Sequence, residues 1–439
     1  MSHELIIVGA GLAGSEAAWQ AARRGIQVSL YEMRPAIMTE AHTSPLLGEL
    51  VCSNSLRSHD PHSAPGLLKK ELSLAGSLIM EAAEASSVPA GSALAVDRTL
   101  FAGYITRKLS EHPNIRIIRE EVSVLPYTPS IIATGPLTSQ PMAAALMAAL
   151  GSDYLYFYDA IAPIIDAESI DFDKVYRMSR YGKGGDDYLN CPMNRDEYEQ
   201  FYQAVLGSEK VNPRGFEEKK VFEGCMPIEV MASRGFDTMR FGPMKPVGLP
   251  DPKTREVPFA VVQLRAENRE MTAYNMVGFQ TRLKWPEQKR VFSMISGLEH
   301  AEFLRYGSIH RNTFVNAPTI LNKALSCKQR PDIFLAGQIT GVEGYIESTA
   351  MGLLAGLNAS MSMQGKIVIP VPPSTAHGAL VRHITESDSK HFQPSNINFG
   401  LFPASETREG IRDKKVRRAK IVEQALEAWK TYVSQVETA

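Results

Sequence analysis

The chain is poor in cysteine: four in 439 residues, Cys52, Cys191, Cys225 and Cys327, far apart and with no C-x-x-C pair. That count excludes a disulfide framework and a dithiol redox motif, and it fits a reducing compartment. Charge of one sign is also missing. A formal net charge of −1 rules out a globally basic nucleic-acid binder, so any RNA partner must meet a local patch. No apolar run is long enough to cross a bilayer. Met142 to Gly151 is about half of the roughly 20 residues required. Leu5 to Gly14 follows Glu4, has no basic n-region and is broken by glycines, so it reads as a strand and turn rather than a signal core. No solenoid-length repeat, low-complexity tract or second G-x-G-x-x-G is present.

What is present is a chain of ordinary globular composition, 44% hydrophobic and 22% charged, long enough for two domains. Leu5 to Val8 reads as a buried parallel strand, followed by Gly9-Ala10-Gly11-Leu12-Ala13-Gly14, a helix over Ser15 to Arg24, and a strand over Gln27 to Tyr31 ending at Glu32. In this setting Gly9 permits a tight turn, Gly11 lets main chain approach a pyrophosphate, and Gly14 allows close helix packing. The helix start offers N–H groups to the anion, and Glu32 suits ribose hydroxyls.

Residues 35–66 read as a long irregular segment, a type of loop more often functional than idle. An amphipathic helix is expected over Leu67 to Ala85, another over 99–112, and strands over Ile115 to Ile118, Val122 to Leu125 and Ile131 to Ala133. From Tyr154 to Met294 the texture turns to mixed strands and loops. A last strand, Ile333 to Ala336, then Gly337-Gln338 and a helix from Tyr345 to Ser360, return to the first fold. The expected architecture is α/β: a discontinuous Rossmann-type FAD-binding domain (1–153 and 295–439) with an inserted mixed α+β domain (154–294). FAD rather than NAD is indicated by the late strand-Gly-helix element, which such enzymes set against the ribityl chain and flavin. Gln338 stands where many carry Asp.

Cys52 lies in the long polar loop and Cys225 beside turn formers, outside any apolar helix stripe. Cys52 with His59 and His62 matches no standard zinc spacing, so no metal is expected. His310 reads as a structural histidine on composition alone. Arg408, Arg412, Lys414, Lys415, Arg417, Arg418 and Lys420 form a basic stretch on an expected tail helix.

Taken together, these motifs closely resemble the bacterial folate- and FAD-dependent tRNA (uracil-5-)-methyltransferases, from about Glu4 to Pro403. The most specific stretches are the glycine motif, the surroundings of Cys52, Tyr181 to Met193, Glu223 to Glu229, Phe241 to Leu249, Leu283 to Arg290, Tyr306 to Thr313, Ala336 to Tyr345 and Phe392 to Pro403. The resemblance implies formation of 5-methyluridine at T-loop position 54. Methylenetetrahydrofolate gives the one-carbon unit, reduced FAD the reducing equivalents, and NADH or NADPH replenishes them.

It further implies that Cys225 is the nucleophile for uracil C6, with Cys52 its partner and the roles open to exchange. His310 would stack the folate pterin against the flavin, and Tyr345 would join the cofactor site. Lys219, Lys220, Arg282, Lys284, Lys289, Arg290 and the tail would meet phosphates of the tRNA T-arm. A cytoplasmic enzyme without membrane attachment follows. A wobble-uridine-modifying flavoprotein would need a further C-terminal helical domain. A small-molecule FAD oxidoreductase would need neither paired reactive cysteines nor folate, and bound FAD that turns over would exclude an idle RNA-binding module.

Overall fold

The computed structural model describes residues 4–39, 41–150, 154–160, 162–182, 185–211, 226–307, 309–403 and 413–438, with main chain alone at 154–160, 309–312 and 414. Five strands form one parallel sheet in the order Ile333–Leu335, Ser130–Ile132, Glu4–Val8, Gln27–Tyr31, Ile115–Ile118. Leu5 and Ile7 are fully buried, as a central strand covered on both faces requires. The late strand joins the sheet edge beside Ser130–Ile132, so residues two hundred positions apart lie in one register.

Local differences from the sequence reading have physical causes. The first helix is Leu12–Ala22 and starts directly at Gly11, whose extended backbone makes it the N-cap, so Gly14 falls inside the first turn. The helix expected over 67–85 is two, Ala64–Leu74 and Leu78–Ala85. They part at Gly76, which has φ +68°, and Ser77 caps the second by accepting a hydrogen bond from Met80 N–H. Val122 to Leu125 forms no strand; the segment after Ile115–Ile118 turns instead to wall a cleft, which Glu120, Glu121 and Val122 line. The late helix runs over Tyr345–Met363.

A second core, separate from the first, gathers buried side chains from Ile165 to Ala301. Its sheet is antiparallel, in the order Tyr176–Arg177, Tyr188–Met193, Ala260–Ala266, Ala273–Met276, Ile164–Asp166, Phe303–Arg305. An antiparallel ribbon of Tyr154–Ala160 and Ile309–Val315 carries the chain out and back. Among the described residues no helix is long and apolar enough to cross a membrane.

The last helix, Lys414–Thr438, docks on the first core through Trp429. The buried indole stacks on His377 at 4.1 Å between centroids and donates Nε1–H to the Glu71 carbonyl at 2.7 Å, while His377 Nδ1 lies 2.7 Å from the Glu71 carboxylate. The start of the helix stays outside, with residues 415–419 exposed. Trp429→Ala leaves a large cavity and removes one of the two hydrogen bonds to the Glu71 carbonyl, which keeps that of Ala75 N–H. The expected loss is about 3–5 kcal/mol of unfolding free energy, read by urea denaturation, with amide exchange in residues 420–436 accelerating first.

Candidate active site

The glycine motif builds one wall of a cleft holding about 1040 Å³ of empty space, part of it open to solvent. Gly9 has φ +97°, and a Cβ there would stand 2.6 Å from the Ala133 carbonyl oxygen. A Cβ on Gly14 would meet the Gly9 carbonyl oxygen at 1.8 Å, so any side chain would push the helix off its turn. Gly11 faces open space, and Gly11, Leu12 and Ala13 line the cleft at the start of helix Leu12–Ala22, which has no side-chain cap. Unpaired N–H groups at a helix start, reachable by naked main chain, suit a pyrophosphate.

Glu32 lines the same cleft, and its carboxylate is held from two sides. It accepts from Ala10 N–H at 3.1 Å and from Arg34 N–H and Nε–H at 3.1 and 2.9 Å. Burial alone would raise its pKa, but the Arg34 hydrogen bonds and charge outweigh it and hold the group below the ordinary carboxylate value. Arg34 itself is 1% exposed and bridges to Glu49 at 2.8 Å. His42, also in the cleft wall, is pushed down to about 4, first by burial and then by the Arg34 charge. It stays neutral near pH 7. No local pattern in the sequence marks Arg34, His42 or Glu49: the latter two lie in the irregular segment 35–66, and Arg34 just before it.

The far wall comes from the late strand and helix. Gly337, with φ +81°, abuts Ala13, and its neighbour Gln338 donates Nε2–H to Glu343 at 2.7 Å. Tyr345 opens helix Tyr345–Met363, and with Gly337, Gln338 and Val51 it lines the cleft. Its hydroxyl oxygen accepts N–H bonds from Cys52 at 2.9 Å and Ser53 at 3.2 Å, and stands 3.0 Å from Cys52 Sγ. The contact with sulfur is a hydrogen bond in which the phenol or the thiol can donate. Burial, then the Cys52 charge, raise the Tyr345 pKa well above its ordinary value, which keeps it a donor.

The Cys52 loop is clamped from both cores. Arg98 donates to Leu50 O at 2.6 Å and pairs with Glu267, while Arg265 donates to Ser53 Oγ and Asn54 Oδ1, each at 2.9 Å. Arg305, from the second unit, donates to Ala41 O at 3.2 Å on the same side of the cleft. Cys191 and Cys327 are buried, and desolvation raises the thiol pKa of both, the latter to about 12. Cys225, Lys219 and Lys220 lie outside the described residues, as do Arg408 and Arg412. His310 is opposite Asp159 in the ribbon by main-chain register, and its side chain is not described.

A family profile described as "GIDA: Glucose inhibited division protein A" matches residues 4–367. The methylenetetrahydrofolate-tRNA-(uracil-5-)-methyltransferase TrmFO of Desulfotalea psychrophila is 57% identical over 430 residues, 97% of either chain. Its counterpart in Geobacter sulfurreducens is 58% identical over 428 residues, 97% of this chain and 98% of that one. The chain belongs to the TrmFO family. Among solved structures, Aquifex aeolicus GidA in its form I crystal aligns with a TM-score of 0.70 at 16% identity, covering 99% of this chain and 78% of that one. At that identity the likeness concerns the fold, which is the expected Rossmann-type α/β arrangement.

Behind Tyr345, Lys69 is buried and donates to Leu56 O at 2.7 Å. Burial lowers its pKa to about 7, with Glu347 opposing and Arg57 assisting. Between pH 7 and the ordinary 10.5, the folded chain therefore binds fewer protons here than the unfolded one. Stability from this site rises with pH across that window. Lys69→Met is expected to flatten the slope, read as urea midpoints at pH 7 and pH 9.

Proposed function

We propose that the chain methylates C5 of the T-loop uridine of tRNA in the cytoplasm, with methylenetetrahydrofolate as one-carbon donor and NADH or NADPH as electron source. Full-length identity of 57–58% to relatives bearing the methyltransferase name is the observation that carries this reading. The residues of the cleft fit FAD. Gly9, Ala10, Gly11, Leu12, Ala13 and Gly14 would hold the pyrophosphate, Glu32 the adenosine ribose, and Gly337, Gln338 and Tyr345 the ribityl and flavin end. Reduced FAD supplies the electrons that turn a methylene unit into a methyl group. The parallel-sheet unit would carry the cofactor, and the antiparallel unit much of the RNA contact.

Uracil C5 is a poor nucleophile until a group adds at C6. A thiolate does this well, because its addition leaves an enolate whose density lies on C5. Cys225 is assigned as that thiolate and Cys52 as its partner in the same site, roles that could be exchanged, and His310 as the ring that covers the pterin. The Tyr345 hydroxyl 3.0 Å from Cys52 Sγ supports a reactive Cys52, because a thiolate there would accept a charge-assisted hydrogen bond from the phenol. The base must leave its T-loop stack to reach this depth.

Purified protein is to be incubated with unmodified tRNA transcript, NAD(P)H and methylenetetrahydrofolate labelled in its one-carbon unit. Label is expected in the T-loop uridine and is expected to vanish in Cys225→Ala. Flavin turnover without RNA labelling would point instead to a small-molecule oxidoreductase. Tyr345→Phe is expected to keep FAD, lower the methylation rate roughly 10-fold or more, and raise the pH at which Cys52 is alkylated by iodoacetamide.

A further inference from the structure

Outside the cleft stands an aromatic feature to which the reaction above gives no role. Trp285 opens helix Trp285–Phe292 and is 63% exposed. Its ring lies nearly parallel to that of Tyr306, 5.4 Å between centroids at 14°, and Tyr306 stacks in turn on Phe303 at 5.1 Å and 19°. Phe303 packs on Phe292 of the second core at 6.3 Å. The indole is thus the outer plate of a ring stack whose inner end is anchored, and among the described residues no further ring covers it. An anchored plate keeps its orientation without a ligand, so little ordering entropy remains to be lost on binding.

Side chains tie this stack to the segment that walls the cleft. Gln288, in the same helix, donates to Gly307 O at 2.8 Å and accepts from Gly307 N–H at 2.8 Å. Arg305, the residue before Tyr306, donates to Ala41 O at 3.2 Å in the segment that walls the cleft. Adjacent residues therefore reach the cleft-wall segment and the exposed indole. Two lysines flank the plate along the chain: Lys284 precedes it, and Lys289 lies one turn on along the same helical face. Lys284 and Arg290 are steadied by Glu209 and Glu287, each at 2.6 Å.

We propose that Trp285 is a stacking platform for an unpaired base of the RNA substrate, a base other than the one methylated. The proposal rests on the RNA-methylating reading above. An exposed flat ring with lysines alongside is the combination that single-stranded nucleic acid recognises: bases stack on the ring while phosphates meet the cations. The indole supplies grip that does not depend on salt, and the lysines supply the part that does.

The test measures the Kd of FAD-loaded protein for an unmethylated tRNA transcript across a salt series. Trp285→Ala is expected to weaken binding roughly 5- to 100-fold without changing the slope of log K against log salt, and Trp285→Phe to recover most of the loss. Lys289→Ala is expected to reduce that slope by about 0.7–0.9. Should the alanine variant fail to fold, fluorescence carries the test. Trp285 is one of three tryptophans and the only one among the large exposed side chains, so transcript should quench the wild type, and the quench should vanish in Trp285→Phe. An unchanged Kd in Trp285→Ala overturns the platform, as does an unchanged Kd with a raised KM for methylenetetrahydrofolate, which would assign the indole to folate. Wild-type protein that binds transcript without methylating it overturns the functional reading, while the Kd comparison still decides the platform.

Discussion

Everything in the cleft depends on two helices that touch at backbone distance. A Cβ on Gly352 would stand 2.2 Å from the Ala13 carbonyl oxygen, and one on Gly356 would stand 2.6 Å from that of Ala17. Helices normally keep 8–10 Å between axes because side chains intervene. Here glycine and alanine remove that spacer along two turns of Leu12–Ala22 and Tyr345–Met363. The starts of both helices consequently lie at one cleft, and the separation between the glycine turn and the Tyr345 hydroxyl is set by main chain rather than by flexible side chains.

Around this rigid frame the charged groups are arranged in alternation. Arg34 stands between Glu32 and Glu49, and Arg98 between the Leu50 carbonyl and Glu267. Buried ion pairs of this kind gain little net stability, because desolvation offsets most of their attraction. Their effect is directional: each guanidinium has several fixed donors and fixes the loop that offers it acceptors. The Cys52 loop receives such bonds from Arg98 in one core and Arg265 in the other, which makes its position a property of both units together.

Much of this was legible in the residues. The parallel strands and the glycine turn could be placed because apolar runs and glycine spacing are local signals, and the pairing of the late strand with the first sheet followed from the strand-Gly-helix pattern at 333–345. What escaped was set by tertiary partners. Val122 to Leu125 has strand composition but belongs to the segment that turns to wall the cleft. Gly76 and Ser77 divide a helix whose hydrophobic period runs through the break. Arg34, His42 and Glu49 sit in a polar loop without periodicity, and their importance appears only when burial brings them against Glu32. The stacking of Trp285 on Tyr306 joins residues that no short-range pattern connects.

The edge position of strand Ile333–Leu335 carries a consequence for synthesis. A ribosome making this chain exposes Ser130–Ile132 as an open strand edge long before its partner emerges, and the entire antiparallel unit is produced in between. Helix Leu12–Ala22 waits equally long for Tyr345–Met363, with its alanine and glycine face uncovered. Contacts of such sequence separation close late and leave adhesive edges in the meantime. The antiparallel unit has its own core and is free to condense first, so the nascent protein gains that unit before the segments that complete the cleft.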